Sequence, residues 1–167
     1  MSQSKRILIG VIVLVLVGAA VLGIEYLRGR NSLPDSAGEV TLTPGSVPIY
    51  LDGVLVAAFT PDALEILEEV SFVDAEEGKP QDGWLVRDVL LSYLSKKQFS
   101  SGTKIVISSS TRNKTIEITW EEVEKQDNMI MFDLSNRGTL KLVSLLEKLD
   151  TRDEWIQDVD RIEVISQ

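Results

Sequence analysis

The chain has no cysteine and no histidine among its 167 residues. Without a thiol there is no disulfide, no thiolate nucleophile and no cysteine-held metal. Without an imidazole there is no Ser-His-Asp triad and no histidine-ligated zinc or copper. Aromatic residues are sparse at 6%, which tells against the sugar-stacking cleft that a two-carboxylate glycosidase needs. Basic residues are also short. Seventeen Lys and Arg face 26 Asp and Glu, for a net charge of −9, which argues against gripping nucleic acid by its phosphates. What remains is 44% hydrophobic and 26% charged, a composition that folds, at a length that suits one ordinary domain.

The hydrophobic share is unevenly spread. Residues 7–24 read ILIGVIVLVLVGAAVLGI, without a charged or strongly polar side chain. As a helix this run covers about 27 Å, close to the hydrocarbon thickness of a bilayer. Tyr26 and Leu27 extend it. A buried core helix would carry some polar face, and none exists here. A cleavable signal is the rival, with small residues at Gly18-Ala19-Ala20, but no A-x-A motif stands there and the apolar run continues beyond it. The expectation is a retained signal-anchor over 7–27, a cytoplasmic head over 1–6, a linker over 28–46 and a domain over 47–167. Lys5 and Arg6 before the span nearly balance Arg28 and Arg30 after it. The short head and long acidic domain favour a single-pass protein with its N-terminus cytoplasmic and its C-terminal domain outside. Residues 31–167 hold 25 acidic and 13 basic side chains, a net charge of −12. Anionic lipid would repel such a domain. Ala19 and Gly23 make one small-xxx-small pair, weak support for helix assembly.

Beyond the linker the pattern turns regular. Val47–Leu51 and Val54–Phe59 flank Asp52-Gly53 and predict a β-hairpin. Thr60-Pro61-Asp62 predicts a helix start, followed by an apolar stripe of Ala63, Leu64, Ile66, Leu67 and Val70. A short strand is expected at 70–73, then an acidic loop from Asp74 to Gly83, then a helix from about Leu85 to Leu94. Alternating isoleucines in Lys104–Ser109 and Lys114–Thr119 predict a second hairpin around Thr111-Arg112-Asn113. Thr119-Trp-Glu-Glu122 and Thr151-Arg-Asp-Glu154 are capping boxes, each expected to open a short helix. Strands are expected at Met129–Leu134, Leu140–Leu145 and Val159–Ile165. The sum is an α+β domain with a mixed or mostly antiparallel sheet.

Three stretches of this domain carry a resemblance. They are Gly83-Trp-Leu-Val-Arg-Asp-Val-Leu90, then Lys104-Ile-Val-Ile-Ser-Ser-Ser with Thr115-Ile-Glu-Ile-Thr, then Leu140-Lys-Leu-Val143 with Trp155-Ile-Gln-Asp-Val-Asp-Arg-Ile-Glu-Val164. From about Pro48 to Ile165 the chain resembles the molybdopterin-binding domain of sulfite oxidase-type oxidoreductases in compact, single-domain form. The resemblance implies that scaffold. It also implies a cysteine ligand to molybdenum, which this chain lacks. Ser71 is the one oxygen ligand that could stand near that place, and a plain strand position explains it more simply. The loop before Leu140 is shortened to Ser135-Asn-Arg-Gly138. The expectation is a scaffold that binds no cofactor and no metal, and is not an enzyme.

The remaining constellations are weaker. Asp74, Glu76, Glu77 and Asp82 are hard oxygen ligands, but they lack EF-hand spacing and read as a solvated loop. Glu121, Glu122 and Glu124 suit a helix N-terminus. Trp84, Trp120 and Trp155 stand at element boundaries and are expected half-buried. Asn113-Lys-Thr115 is a glycosylation sequon on a turn. If the scaffold holds, Trp84, Arg87, Arg112 and Asn113 are candidates for one interaction rim around the vacated cofactor site. Three functions fit. The leading one is a membrane-anchored, extracytoplasmic binding module with a protein partner in the cell envelope. The others are an oxidoreductase accessory that still binds a pterin or other small anion, and a structural subunit of an envelope complex.

Overall fold

Val47–Leu51 (β1) and Val54–Phe59 (β2) pair antiparallel around Asp52 and Gly53, whose φ angles of 50° and 80° are both left-handed. Such a turn matches the right-handed twist of the strands. The register slips by one residue between Ile49 and Tyr50, a bulge beside the turn. A computed structural model describes residues 40–166 of the chain, including this hairpin. The head, the anchor and most of the linker expected over 28–46 lie outside the described residues. Among the described residues no helix is long and apolar enough to cross a membrane.

The elements continue as β3 (Glu69–Val73), β4 (Pro80–Leu85), α1 (Val86–Tyr93), β5 (Lys104–Ser109), β6 (Lys114–Thr119), α2 (Trp120–Glu124), β7 (Met131–Leu134), β8 (Leu140–Val143) and β9 (Arg161–Ile165). They make two sheets. One has five strands in the order β2-β1-β9-β5-β6, and the other four in the order β3-β4-β7-β8. Only the β1–β9 pair is parallel among the described strands. Ile49, Ile105, Ile107, Ile162 and Val164 from the first sheet and Met131, Phe132, Leu142 and Val143 from the second are fully buried in one shared core. The fold is therefore α+β, dominated by strand, with the expected mixed pairing distributed over two sheets rather than one.

The segment before β9 joins the sheets. Ile156 exchanges backbone hydrogen bonds with Leu142, and the Val159 N–H donates to the Leu140 carbonyl, both on β8. The Asp160 N–H then donates to the Ser108 carbonyl on β5. Between the Ile156 and Val159 contacts to β8 stands Asp158, with a left-handed φ of 55°. That conformation is uncommon outside glycine, asparagine and aspartate. It turns the chain just before the step from Val159 to Asp160 carries it from one sheet to the other.

Several local expectations are corrected. Residues 80–85, expected as the end of an acidic loop and the start of a helix, form strand β4, which pairs with β3 and β7. Gly83 permits it: a Cβ there would stand 2.0 Å from the Phe132 carbonyl oxygen. After Thr60 the chain makes a 3-10 helix over Pro61–Ile66 with no side-chain cap, and only Leu64 of its stripe is buried, while Ile66 is 87% exposed. Thr151–Glu154 forms a backbone-closed turn and no helix. Half of its capping box survives, as the Thr151 N–H donates to the Glu154 carboxylate at 3.3 Å. The box at Thr119 is complete: Thr119 N–H to Glu122 Oε2 at 2.7 Å and Glu122 N–H to Thr119 Oγ1 at 3.3 Å. All three tryptophans are buried rather than half-buried. Trp120 stacks on Phe99 at 3.9 Å between ring centroids.

Candidate functional site

Loops converge where the chain crosses between the sheets. The residues before β1, the start of the 3-10 helix, the β5–β6 turn, the β7–β8 turn and residues 158–160 together line a cleft of about 310 Å³. Asp158 organises this end. Its Oδ1 accepts from the Thr139 hydroxyl at 2.8 Å and from Arg137 Nη2 at 2.9 Å, and its Oδ2 from Arg112 Nε at 2.7 Å. The Thr139 hydroxyl has the largest effect on the Asp158 carboxyl. With the two guanidinium groups it outweighs partial burial and holds the carboxyl below the ordinary range. One carboxylate thus serves two arginines, and both remain about half exposed, at 42% and 56% of their side chains. Next to this hub the Asp160 carboxylate accepts from the Ser110 N–H at 2.8 Å and from the Ser110 hydroxyl, fixing the β5–β6 turn.

A second cleft, about 200 Å³, opens between that turn and residues 152–157, and is lined by Arg112, Lys114, Arg152, Asp153, Trp155 and Gln157. Trp155 is 3% exposed, and its Nε1 donor has no hydrogen-bond acceptor. Arg152 and Lys141 stand over its ring at 5.5 and 5.1 Å from the centroid. The Lys114 ammonium donates to the Asp153 carbonyl and, at 3.2 Å, to the Trp155 carbonyl. No carboxylate among the described residues pairs with it. A third cleft, about 340 Å³, lies beside Arg137 and Lys141 and shares Gln157 with the second.

Arg152 also anchors the acidic loop. Its N–H donates to Glu76 at 2.8 Å, its Nη1 pairs with Glu77, and its Nε lies 3.4 Å from Asp74 Oδ2. That last contact is an ion pair without hydrogen-bond geometry, so the fully buried Oδ2 is otherwise unpartnered. Asp74 Oδ1 accepts from the Glu76 and Glu77 N–H groups. Lys79 first, then Arg152, hold the Glu77 carboxyl below its ordinary range. The carboxylates expected to be solvated are therefore tied down, except that of Asp82, which sits on β4. Among the described residues no three acidic side chains are grouped to hold a metal ion.

The four rim residues fall in different settings. Trp84 is 7% exposed on β4, opposite Glu69 and Phe132. Arg87 lies in the first turn of α1, where Asp88 accepts from its Nε at 2.9 Å and raises its pKa. Arg112 and Asn113 stand on the β5–β6 turn, Asn113 exposed with a φ of 49°. Among the described residues no hydrogen bond or ion pair joins Arg112 to Trp84 or Arg87. The structure joins it instead to Arg137 through Asp158. Sequence reasoning missed Lys114, Arg137, Arg152, Trp155 and Asp158 as site residues. Of these only Trp155 and Asp158 fall in the 155–164 stretch of the resemblance, which named a scaffold and not a site. Ser71 is exposed on β3, facing Asp82 in register. The chain matches no family model and no curated protein sequence.

Proposed function

We propose that the chain is a non-catalytic binding module, held at a membrane through residues 7–27 with its head inside, and that the loop end around Asp158 is its recognition surface. The scaffold is read as sulfite oxidase-type with molybdenum ligation lost. The donor set supports the loss. Molybdenum in that setting takes a thiolate and the chain has none. Ser71, the one candidate oxygen donor, sits exposed beside the Asp82 carboxylate, a poor place for a second anionic ligand.

The observation that carries the reading is Asp158. Left-handed backbone at a non-glycine residue costs free energy and gathers at functional positions. Here it presents a single carboxylate that holds Arg112 and Arg137 beside three adjoining clefts, in a domain of charge −12. Arginine is among the side chains most often found as binding hot spots. The test is capture from native membranes by the full-length chain, with mass spectrometry, comparing wild type with the double variant Arg112→Ala, Arg137→Ala. Both side chains are half exposed, so the variant removes ion pairs to Asp158 and no core packing, and urea unfolding of the variant checks that the fold is kept. A defined partner recovered with wild type and lost with the variant supports the reading. The same proteins recovered with both would refute it.

A further inference from the structure

The cleft around Trp155 has the makings of a ligand site, and its chemistry is one-sided. Apart from the Asp153 carboxylate and the Gln157 amide, its polar side-chain lining offers donors: the guanidinium groups of Arg112 and Arg152 and the Lys114 ammonium, set around the Trp155 ring. The indole N–H is a buried donor without an acceptor. Such groups are rare in folded proteins and call for a water or a ligand. An acceptor-rich anion answers this lining, and about 200 Å³ suits a small group rather than a drug-sized molecule.

The charge of that anion can be worked out. Arg112 shares the single Asp158 carboxylate with Arg137, which leaves one guanidinium charge in excess, and Arg152 already faces Glu77 and Asp74. Lys114 adds a second uncommitted positive charge, because it meets only the Asp153 and Trp155 carbonyls, and the unpaired Asp153 carboxylate on the lining offsets one of the two. The net single positive charge balances one negative charge and falls short of two. We infer that this cleft binds a carboxylate, presented by a small organic acid or by the free C-terminus of a peptide. The inference deepens the binding-module reading and rests on it. The Asp153 carboxylate, which has no partner of its own among the described residues, weakens the site and sets its affinity.

The test follows the Trp155 indole N–H cross-peak in a proton–nitrogen correlation spectrum of the full-length chain in nonionic detergent, assigned by loss in Trp155→Phe. Acetate is titrated against chloride at constant ionic strength. The expected result is a saturable shift of that one indole peak, with Kd in the millimolar range that a single charged group supports. Asp153→Asn should tighten it about threefold, the scale of one exposed charge removed at short range. Lys114→Met should abolish it. Should Lys114→Met fail to fold, Asp153→Asn still decides, because its side chain holds nothing in place. A peptide with a free C-terminus that binds tighter than acetate, and tighter than its C-terminal amide, identifies a peptide source. Equal binding of acetate and the free peptide identifies a small acid. The proposal is overturned if no saturable shift appears, if Asp153→Asn leaves the affinity unchanged, if the peptide amide binds as well as the acid, or if dianionic phosphate binds more than tenfold tighter than acetate. A chain that captures its partner through Arg112 and Arg137 yet shows no indole shift refutes the carboxylate site alone.

Discussion

Replacing Gly83 with alanine tests the joint between β4 and β7. An added Cβ would meet the Phe132 carbonyl oxygen at 2.0 Å, its carbonyl carbon at 2.8 Å and the Asp133 Cα at 3.0 Å. All three are backbone atoms of the neighbouring strand, so no side-chain rotation relieves the clash. Ordinary van der Waals contact begins near 3.4 Å, so the strands would have to part by about 1.4 Å at this point. A ladder hydrogen bond of about 2.9 Å does not survive that displacement. The β4–β7 pairing spans Gly83, Trp84 and Leu85 against Asp133, Phe132 and Met131. Losing two or three of its bonds at about 1 kcal/mol each, together with packing around Trp84 and Phe132, gives a cost of about 3–5 kcal/mol. That is a third or more of the stability of an ordinary domain. The assay is urea unfolding followed by tryptophan fluorescence, with Gly78→Ala as the control. Gly78 has open space around it and a φ of 66°, so its variant pays for backbone conformation alone, about 1 kcal/mol. If Gly83→Ala costs no more than Gly78→Ala, the close approach of the two strands is wrong.

Other consequences can be measured with the same chain. Trp84→Ala should lose about 3–5 kcal/mol in urea unfolding, because the side chain is buried in the core; a loss below about 1 kcal/mol would return Trp84 to the recognition surface. Asp158 and Glu122 have depressed folded-state pKa values. For Glu122 burial raises the pKa, but the Thr119 N–H, Lys148 and the Thr119 hydroxyl together lower it further. Both carboxylates contribute stability that is fully present above the ordinary carboxyl range and is lost as pH falls through their folded-state values. Urea midpoints should therefore drop in acid, and Asp158→Asn should flatten part of that drop; an unchanged pH profile would refute the hub. Ile66→Ser should leave stability within about 0.5 kcal/mol, since Ile66 is exposed at the end of the 3-10 helix. A chain beginning at Gly38, next to the boundary at Glu39, should unfold cooperatively without detergent, and aggregation there would refute the division at the linker.

What could be read from the sequence was whatever local chemistry decides alone. Asp52-Gly53 between two apolar runs, and the alternating isoleucines of Lys104–Ser109 and Lys114–Thr119, gave both hairpins with the bounds the structure shows. The Thr119 box closed as expected because its four residues need no distant partner. The failures share a cause. Pro80, Asp82 and Gly83 look like loop residues, and they become a strand because β3 and β7 supply ladder partners on either side. The Thr151 box holds one of its two bonds while Arg152 is committed to the acidic loop. In each case a contact far away in sequence overrode local preference.

The site failed to show for the same reason, and Asp158 makes the link plain. In sequence it is one aspartate in a stretch that reads as the lead-in to a closing strand. Its left-handed backbone is set by the bonds that tie Ile156 and Val159 to β8 and Asp160 to β5. A straight strand through 156–165 could satisfy one sheet, leaving the other without its partner. The crossing turns the Asp158 carboxylate toward Thr139, 19 residues back, and toward Arg137 and Arg112, 21 and 46 residues back. The residue at the turn just before the crossing thus also places the arginines. Substituting it would disturb both, which is why variants that leave Asp158 intact, at Arg112, Arg137 and Asp153, are the ones that separate recognition from folding.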